Sequence, residues 1–110
     1  MNWSITKTYI DIKPGTAPVR INASMYDNNS RLVVMTVKDG GRAFDMTGLS
    51  ARVEGTRADG TGFMSACTIG DGTVSFLITK EMTNSAGDQK AEIILFAPDN
   101  HRIGTANFII

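Results

Sequence analysis

Short apolar stretches separated by Gly, Asp and Asn run along the whole chain. Within most stretches an apolar side chain recurs at every second position, as at Val74, Phe76 and Ile78. This alternation is typical of β-strands that turn one face toward a core. We predict eight strands, over residues 3–12, 19–25, 31–38, 51–56, 63–69, 73–78, 90–96 and 102–110.

The strongest predicted strand covers residues 31–38. Val33, Met35 and Val37 share one face of it, and Leu32 and Val34 make the opposite face apolar as well. A strand that is apolar on both faces is expected to be covered on both sides for part of its length. The Asp39-Gly40-Gly41 sequence that follows predicts a hairpin turn, because glycine takes positive φ angles without steric cost.

A single short helix is predicted over residues 79–86. Thr79 is a suitable N-cap, Glu81 lies in the first turn, and Gly87 is a natural residue to follow the last turn. No amphipathic segment of about 10–15 residues separates the strands, which argues against a parallel βαβ fold. The pattern favours an all-β, mainly antiparallel sandwich with one short helical turn.

Composition narrows the range of partners. The chain has 110 residues, enough for one domain with its own core, and its 11 Lys and Arg balance its 11 Asp and Glu. It therefore lacks the basic excess that drives binding to phosphate backbones or anionic membranes. No apolar run approaches the ~18–20 residues needed to span a bilayer. Neither nucleic acid nor membrane is an expected partner.

Few residues offer chemistry. His101 is the only histidine and Cys67 the only cysteine, so a zinc site built on a His pair and an intrachain disulfide are both excluded. Asp39, Asp59 and Asp71 each precede a glycine, which indicates turns and does not fit the ligand spacing of a calcium loop. We expect no catalytic, cofactor or metal site; a small hydrolase stays a hypothesis that a structure can test.

Two aromatic residues near the start are the candidate interface. Trp3 and Tyr9 share the same parity, so they lie on one side of an extended segment. They either pack on the domain or form a contact surface on an N-terminal arm. Residues 1–18 are accordingly an arm or a first strand, and residues 3–12 are expected to reach outward to a neighbour.

Several motifs occur in an order that resembles the N-terminal domain of phage upper baseplate proteins. Residues 44–48, Phe-Asp-Met-Thr-Gly, fit the family's "hydrophobe-Asp-Leu-Thr-Gly" step after an Asp-Gly turn. Residues 71–79 fit its "dG-x-v-x-f-x-L/I-t" strand, and residues 102–108 fit its "r-i-x-T-x-x-F" ending. The resemblance covers residues 19–110, with Met46 in place of the usual Leu.

The resemblance implies an immunoglobulin-like β-sandwich over residues 19–110, at the head of a longer baseplate or tail fibre protein. Such a domain would dock a receptor-binding assembly onto the tail hub, chiefly onto the distal tail protein, in a virion assembled in the host cytoplasm. It would be part of a homo-oligomer in the full-length assembly and would have no catalytic residues. The alternative is a carbohydrate-binding or adhesion module, for which Trp3, Tyr9 or Tyr26 would have to line a cleft.

Overall fold

The computed structural model describes residues 4–13, 19–24, 26–105 and 107–110. These ranges hold ten strands and one short helix: β1 (Ser4–Asp11), β2 (Val19–Arg20), β3 (Arg31–Asp39), β4 (Arg42–Ala43), β5 (Ser50–Thr56), β6 (Gly62–Ile69), β7 (Thr73–Leu77), α1 (Lys80–Thr83), β8 (Lys90–Phe96), β9 (Arg102–Gly104) and β10 (Phe108–Ile109). The prediction of a nearly all-β chain with one helical turn is confirmed.

The strands join into one hydrogen-bonded path. Its order is β1-β3-β7-β6-β5-β8-β10-β2, with β4 attached to β3 and β9 attached to β8. Strand β6 links the two halves, because residues 62–67 pair with β5 whereas Thr68 and Ile69 pair with β7. The path curves around a common core into a nearly closed, barrel-like arrangement. The immunoglobulin-like sandwich, as a more specific description, stays a prediction.

Seven of the nine ladders between the described strands are antiparallel, as predicted for a mainly antiparallel sheet, but two ladders are parallel and correct the prediction at these places. Strand β1 runs parallel to β3, and β10 runs parallel to β2. A parallel pair needs a crossover of a dozen or more residues between its strands. Residues 12–30 supply that length between β1 and β3, whereas β2 and β10 come from opposite ends of the chain.

The expectation that the first segment reaches outward is also wrong for residues 4–11. All eight residues of β1 pair with residues 31–38 of the same chain. The even-numbered side chains of β1 face inward, and Ile10 is 4% exposed. Trp3 lies outside the described residues. The division into residues 1–18 and a domain of residues 19–110 stays a prediction.

The predicted hairpin after residue 38 is confirmed. Lys38 pairs with Ala43 and Asp39 with Arg42, which leaves a two-residue loop of Gly40 and Gly41. Both glycines have positive φ, at 59° and 85°. This combination matches the twist of the flanking strands and requires residues that tolerate left-handed backbone.

The last predicted strand is divided in two. Thr105 lies between β9 and β10, where its backbone N donates to Ile93 O at 2.9 Å. Its Oγ1 accepts a hydrogen bond from Ile93 N at 3.1 Å, so a side chain takes the place of a backbone partner in the ladder. The predicted strand over residues 19–25 is likewise reduced to Val19–Arg20.

Helix α1 is shorter than the predicted range of 79–86. Thr79 is the N-cap by position, but its side chain makes no capping bond. Asn28, far away in sequence, accepts the Lys80 N–H at 3.0 Å instead. Because Thr83 Oγ1 also donates to Asp27 O at 2.8 Å, the helix is fastened to the segment that leads into β3.

The core contains side chains from both halves of the sheet. Val33, Met35 and Val37 are at most 1% exposed, which confirms the predicted inner face of β3. The rings of Phe76 and Phe108 lie 6.1 Å apart between centroids and connect β7 with β10. Leu32 and Val34 are half-buried, so the outer face of β3 is only partly covered.

Acid is expected to destabilise the fold through Asp27. The backbone N–H of Ser24 and then the guanidinium of Arg31 hold the pKa of this carboxyl below its ordinary value of 3.8. Because the unfolded state binds the proton more readily, this stabilisation is present above pH 3.8 and is lost as the pH falls below that value. The free energy of unfolding of the Asp27→Asn variant should therefore depend less on pH in the acid range than that of the parent chain.

The measurement is urea unfolding followed by circular dichroism from pH 7 to pH 2.5. Asp71→Asn is the matched control, because the Asp71 carboxylate is exposed and accepts no hydrogen bond from the described residues. It should retain the acid-dependent loss of the parent chain. Equal acid dependence in the parent and Asp27→Asn would contradict the assigned role of this carboxyl.

Candidate docking surface

The outward side of β1, β3 and β7 forms a surface with few charges, which we call the outer face. The strand register aligns its side chains in three rows, namely Ile5–Leu32–Leu77, Lys7–Val34–Ser75 and Tyr9–Thr36–Thr73. These residues point away from the core, because their neighbours in sequence Val33, Val74 and Phe76 are buried. Lys7 is the only charged residue in the three rows, and the charged residues Asp11 and Lys38 form the next row, at the border of the face.

This face combines exposed apolar area with depletion of charge. Ile5 is 57% exposed and Tyr9 is 65% exposed, while Leu32, Val34 and Leu77 are half-buried behind them. Contiguous apolar patches on a folded domain mark sites of interaction. Few charges at the centre and aromatic side chains are the compositional signs of a protein–protein interface. The outer face therefore has the character of a docking surface.

Tyr9 stands at the border between this face and a cleft. The cleft has a volume of about 390 Å³ and is lined by Tyr9, Ile10, Asp11, Val19, Lys38, Gly41 and Asn107. The Lys38 Nζ lies 5.5 Å from the centroid of the Tyr9 ring, a cation–π contact that holds the exposed ring in place. An ordered aromatic ring loses little conformational entropy when a partner binds.

Asp11 fastens the end of β1 to the hairpin between β3 and β4. Its Oδ1 accepts the Gly40 N–H at 2.9 Å, and its Oδ2 accepts the Gly41 N–H at 3.0 Å. Its Oδ1 also accepts the Lys13 N–H at 2.8 Å. Hydrogen bonds from Lys13 and Gly40 lower the pKa of the Asp11 carboxyl. The carboxylate is thus committed to the protein's own backbone and fixes β1 as a rigid border.

Of the two predicted interface residues, only Tyr9 belongs to the described part of the chain. Tyr9 projects outward from β1 and is not packed in the core, whereas Trp3 lies outside the described residues. Sequence reasoning missed Ile5, Leu32 and Leu77. Ile5 has the same parity as Tyr9, and Leu32 belongs to the strand that is apolar on both faces, so both signals were present. Leu77 required knowledge of the pairing of β7 with β3.

Tyr26 is exposed elsewhere, beside α1. Its φ is 66°, which is unusual for a bulky residue, and 64% of it is exposed. Its backbone N donates to Thr83 O at 3.2 Å, which holds the turn against α1. Tyr26 is therefore not one of the residues that line the cleft at Tyr9.

The remaining candidates for chemistry are separate from one another. His101 Nδ1 lies 2.8 Å from Asp99 Oδ2 in an exposed turn. Cys67 is half-buried against the core, and burial raises the pKa of its thiol to about 12. The described part of the chain holds no group of three or more potential metal ligands. None of its helices is long and apolar enough to cross a membrane.

Comparison with known proteins gives the family. A solved structure, the N-terminal domain of phage TP901-1 ORF48, superposes with a TM-score of 0.78 over 96% of this chain and 95% of that chain. The two sequences are 13% identical, so this likeness supports the fold alone. No curated protein matches the sequence. The family model described as "BppU N-terminal domain" matches residues 1–110 of this chain. The match includes residues 1–18, which the motif resemblance did not cover. The chain belongs to the BppU N-terminal domain family, the N-terminal domain of phage baseplate upper proteins.

Proposed function

We propose that this chain is a non-catalytic module that docks a longer receptor-binding assembly onto the tail hub, with the distal tail protein as its partner. Family membership supports a structural role in the baseplate, a location in the virion tail and contact with other baseplate proteins. The single observation that carries the proposal is the outer face of β1, β3 and β7, which is poor in charge and rich in exposed apolar area.

The architecture of this face suits docking. Eight consecutive residue pairs join β1 to β3, and five join β3 to β7, so the face is built on strands and not on loops. A surface that is ordered before binding loses little entropy when the partner arrives. The half-buried Leu32 and Leu77 lie beside the exposed Ile5, which gives a partner side chain an apolar place to bind.

The proposal extends to the whole assembly. We expect the full-length protein to form a homo-oligomer, and we expect it to be assembled in the host cytoplasm. The first expectation fits a domain that offers one docking surface per copy, because several copies then bind a symmetric hub together.

The alternative, a carbohydrate-binding or adhesion module, has one observation in its favour. Tyr9 lines the cleft with the side chains of Asn107 and Lys38. Stacking against a sugar ring needs an open aromatic face, and the Lys38 ammonium lies over one of the two faces of the Tyr9 ring, which leaves at most the other face for a sugar. Saccharide titration monitored by amide chemical shifts would favour this alternative if it shifted the signals of the cleft residues.

The outer face is tested with a pair of matched charge insertions. Ile5→Lys places a cation in the outer face, whereas Ile103→Lys does so on β9, which pairs with β8 in the other half of the sheet. Both residues are exposed, at 57% and 42%, so neither change should unfold the chain. Binding to the distal tail protein is measured by biolayer interferometry.

We expect Ile5→Lys to weaken binding at least about tenfold, because a buried unpaired charge costs more than ~1.4 kcal/mol. Ile103→Lys should bind like the parent. Equal binding by all three proteins would contradict docking through the outer face.

A further inference from the structure

Strand β1 ends the pairing path of the described strands, and one of its edges has no partner strand among them. It is the first strand in the pairing path, and β3 is its only partner among the described strands. Ser4 N donates to Ser30 O at 3.3 Å and Ile12 N donates to Lys38 O at 2.9 Å, so the even-numbered residues of β1 direct their backbone groups at β3. In a parallel ladder the alternate residues then direct their N–H and C=O groups to the other side.

The free edge is long and regular. The register of β1 with β3 runs without a bulge from Ser4 to Asp11, and these eight residues include neither proline nor glycine. Proteins usually protect such an edge with proline, bulges, inward-pointing charges or a covering segment. Here the protection within β1 is limited to the exposed Lys7, so this edge can accept another strand.

The charges near the middle of this edge are positive. Lys7 makes no ion pair with any described residue, and Lys38 lies over the ring of Tyr9. Asp11 lies four residues from Lys7 along β1, a separation of about 13 Å, so its carboxylate does not pair with Lys7. An added strand therefore meets backbone donors and acceptors together with two cations near Lys7, and a carboxylate only at Asp11, the last residue of the edge.

We propose that β1 is extended by a strand from another protein that carries a carboxylate opposite Lys7 and apolar side chains opposite Ile5 and Tyr9. This inference rests on the proposed docking function and specifies the kind of segment that docks. Main-chain hydrogen bonds to Ile5, Lys7 and Tyr9 supply the affinity, and the alternating side chains supply the selectivity. The Lys7–carboxylate pair fixes the register.

A second copy of the chain fits the same edge less well. Antiparallel pairing of β1 with β1 centred on Lys7 sets two ammonium groups opposite each other, and like charges in that position are destabilising. Shifting the centre to Thr8 places each Lys7 against a Tyr9 ring that has the Lys38 ammonium on one face. Shifting it to Tyr9 places each Lys7 opposite Asp11, but this register shortens the ladder to residues 7–11 and leaves Ile5 without a partner. A partner strand with acidic side chains has none of these problems.

The test uses capped peptides that match the 8 residues of β1 in length. One peptide carries Val, Glu and Val at alternate positions with Thr between them, so that these three side chains lie opposite Ile5, Lys7 and Tyr9; in the other peptide Lys replaces the Glu. Each is titrated into the nitrogen-15-labelled chain, and amide exchange is followed residue by residue. The Glu peptide should slow exchange at Ile5, Lys7 and Tyr9, whereas Thr6 and Thr8 should be protected with or without peptide. The Lys peptide should leave all five unchanged.

Two substitutions at Lys7 distinguish the contribution of its backbone N–H to peptide binding from the contribution of its charge. Lys7→Pro removes an N–H that points to the free edge, a position where edge strands tolerate proline. It should abolish binding of the Glu peptide, whereas Lys7→Gln should weaken it by no more than about fivefold. Circular dichroism checks that each variant folds. If Lys7→Pro unfolds, the exchange pattern of the parent chain decides the question.

The outcomes distinguish this inference from the proposed function. Unchanged exchange at the odd-numbered amides of β1 with the Glu peptide, or equal effects of the two peptides, would overturn strand addition. Binding to the distal tail protein would then still support docking, through side chains of the outer face alone. Selective protection by the Glu peptide would support the edge as an acceptor even for a chain that does not bind the distal tail protein.

Discussion

Replacing Phe108 with alanine is expected to lower the free energy of unfolding by about 3–5 kcal/mol. Phe108 is 0% exposed, and its ring lies 6.1 Å from that of Phe76. It also sits in β10, which joins Ala91 of β8 to Val19 of β2. Removing the ring leaves a cavity at the point where β10 connects β2 to β8. Since small domains have a total stability of only about 5–15 kcal/mol, the variant should be close to unfolding.

Urea unfolding monitored by circular dichroism measures this loss, with Phe96→Ala as the control. Phe96 is half-buried on the outside of β8, where the Arg52 guanidinium lies 5.4 Å from its ring centroid. Its truncation should cost clearly less, because solvent can replace part of the lost contact. Equal losses for the two variants would mean that Phe108 is not a central core residue.

Gln89→Leu is expected to cost about 2–4 kcal/mol, because it removes the partners of three backbone groups. The side chain of Gln89 is buried, with the whole residue 2% exposed. Its Oε1 accepts the Ala58 N–H at 2.6 Å, and its Nε2 donates to Ser85 O and Gly87 O, each at 2.8 Å. These bonds fix the loop between α1 and β8 against the turn after β5, so leucine would leave all three backbone groups without their partner.

Two further variants check the assignment. Gln89→Glu keeps an acceptor for Ala58 but loses both donors, so it should also be strongly destabilised. Asn22→Ala removes an exposed amide that makes no hydrogen bond with the described residues, and its stability should match that of the parent. A Gln89→Leu variant with parental stability would show that water satisfies these groups equally well.

The strands could be predicted where buried and exposed side chains alternate along the sequence. The inner face of β3 and the glycine hairpin after it followed from local sequence, because both depend on neighbouring residues only. The parallel pairing of β1 with β3 could not be predicted in this way. It depends on a long crossover, and the even-numbered threonines of β1 carry a weak apolar signal.

Other features depended on contacts between residues far apart in the chain. The side chain of Asn28 caps the start of α1, and the side chain of Gln89 binds the Ser85 and Gly87 carbonyl groups after its end, within the range where local sequence predicted the helix to continue. Gly55 lies inside β5 because a Cβ there would meet the Lys90 backbone oxygen and the Phe63 ring. None of these constraints is visible from spacing along the sequence.

The candidate surface shows the same division. Tyr9 could be selected from its parity and aromatic character, and the apolar outer side of β3 was visible in Leu32 and Val34. Their union into one face required the register of β1, β3 and β7, which aligns Ile5 with Leu32 and Leu77. A docking surface of this kind belongs to the sheet as a whole and not to a sequence motif.

The central claim, that this domain docks onto the tail hub, is tested most directly by light scattering of the chain mixed with the distal tail protein of the same phage. We predict a stable species whose mass equals the sum of both proteins in a fixed stoichiometry, and its loss with Ile5→Lys but not with Ile103→Lys. Two separate species at all concentrations, each with the mass it has alone, would contradict the claim.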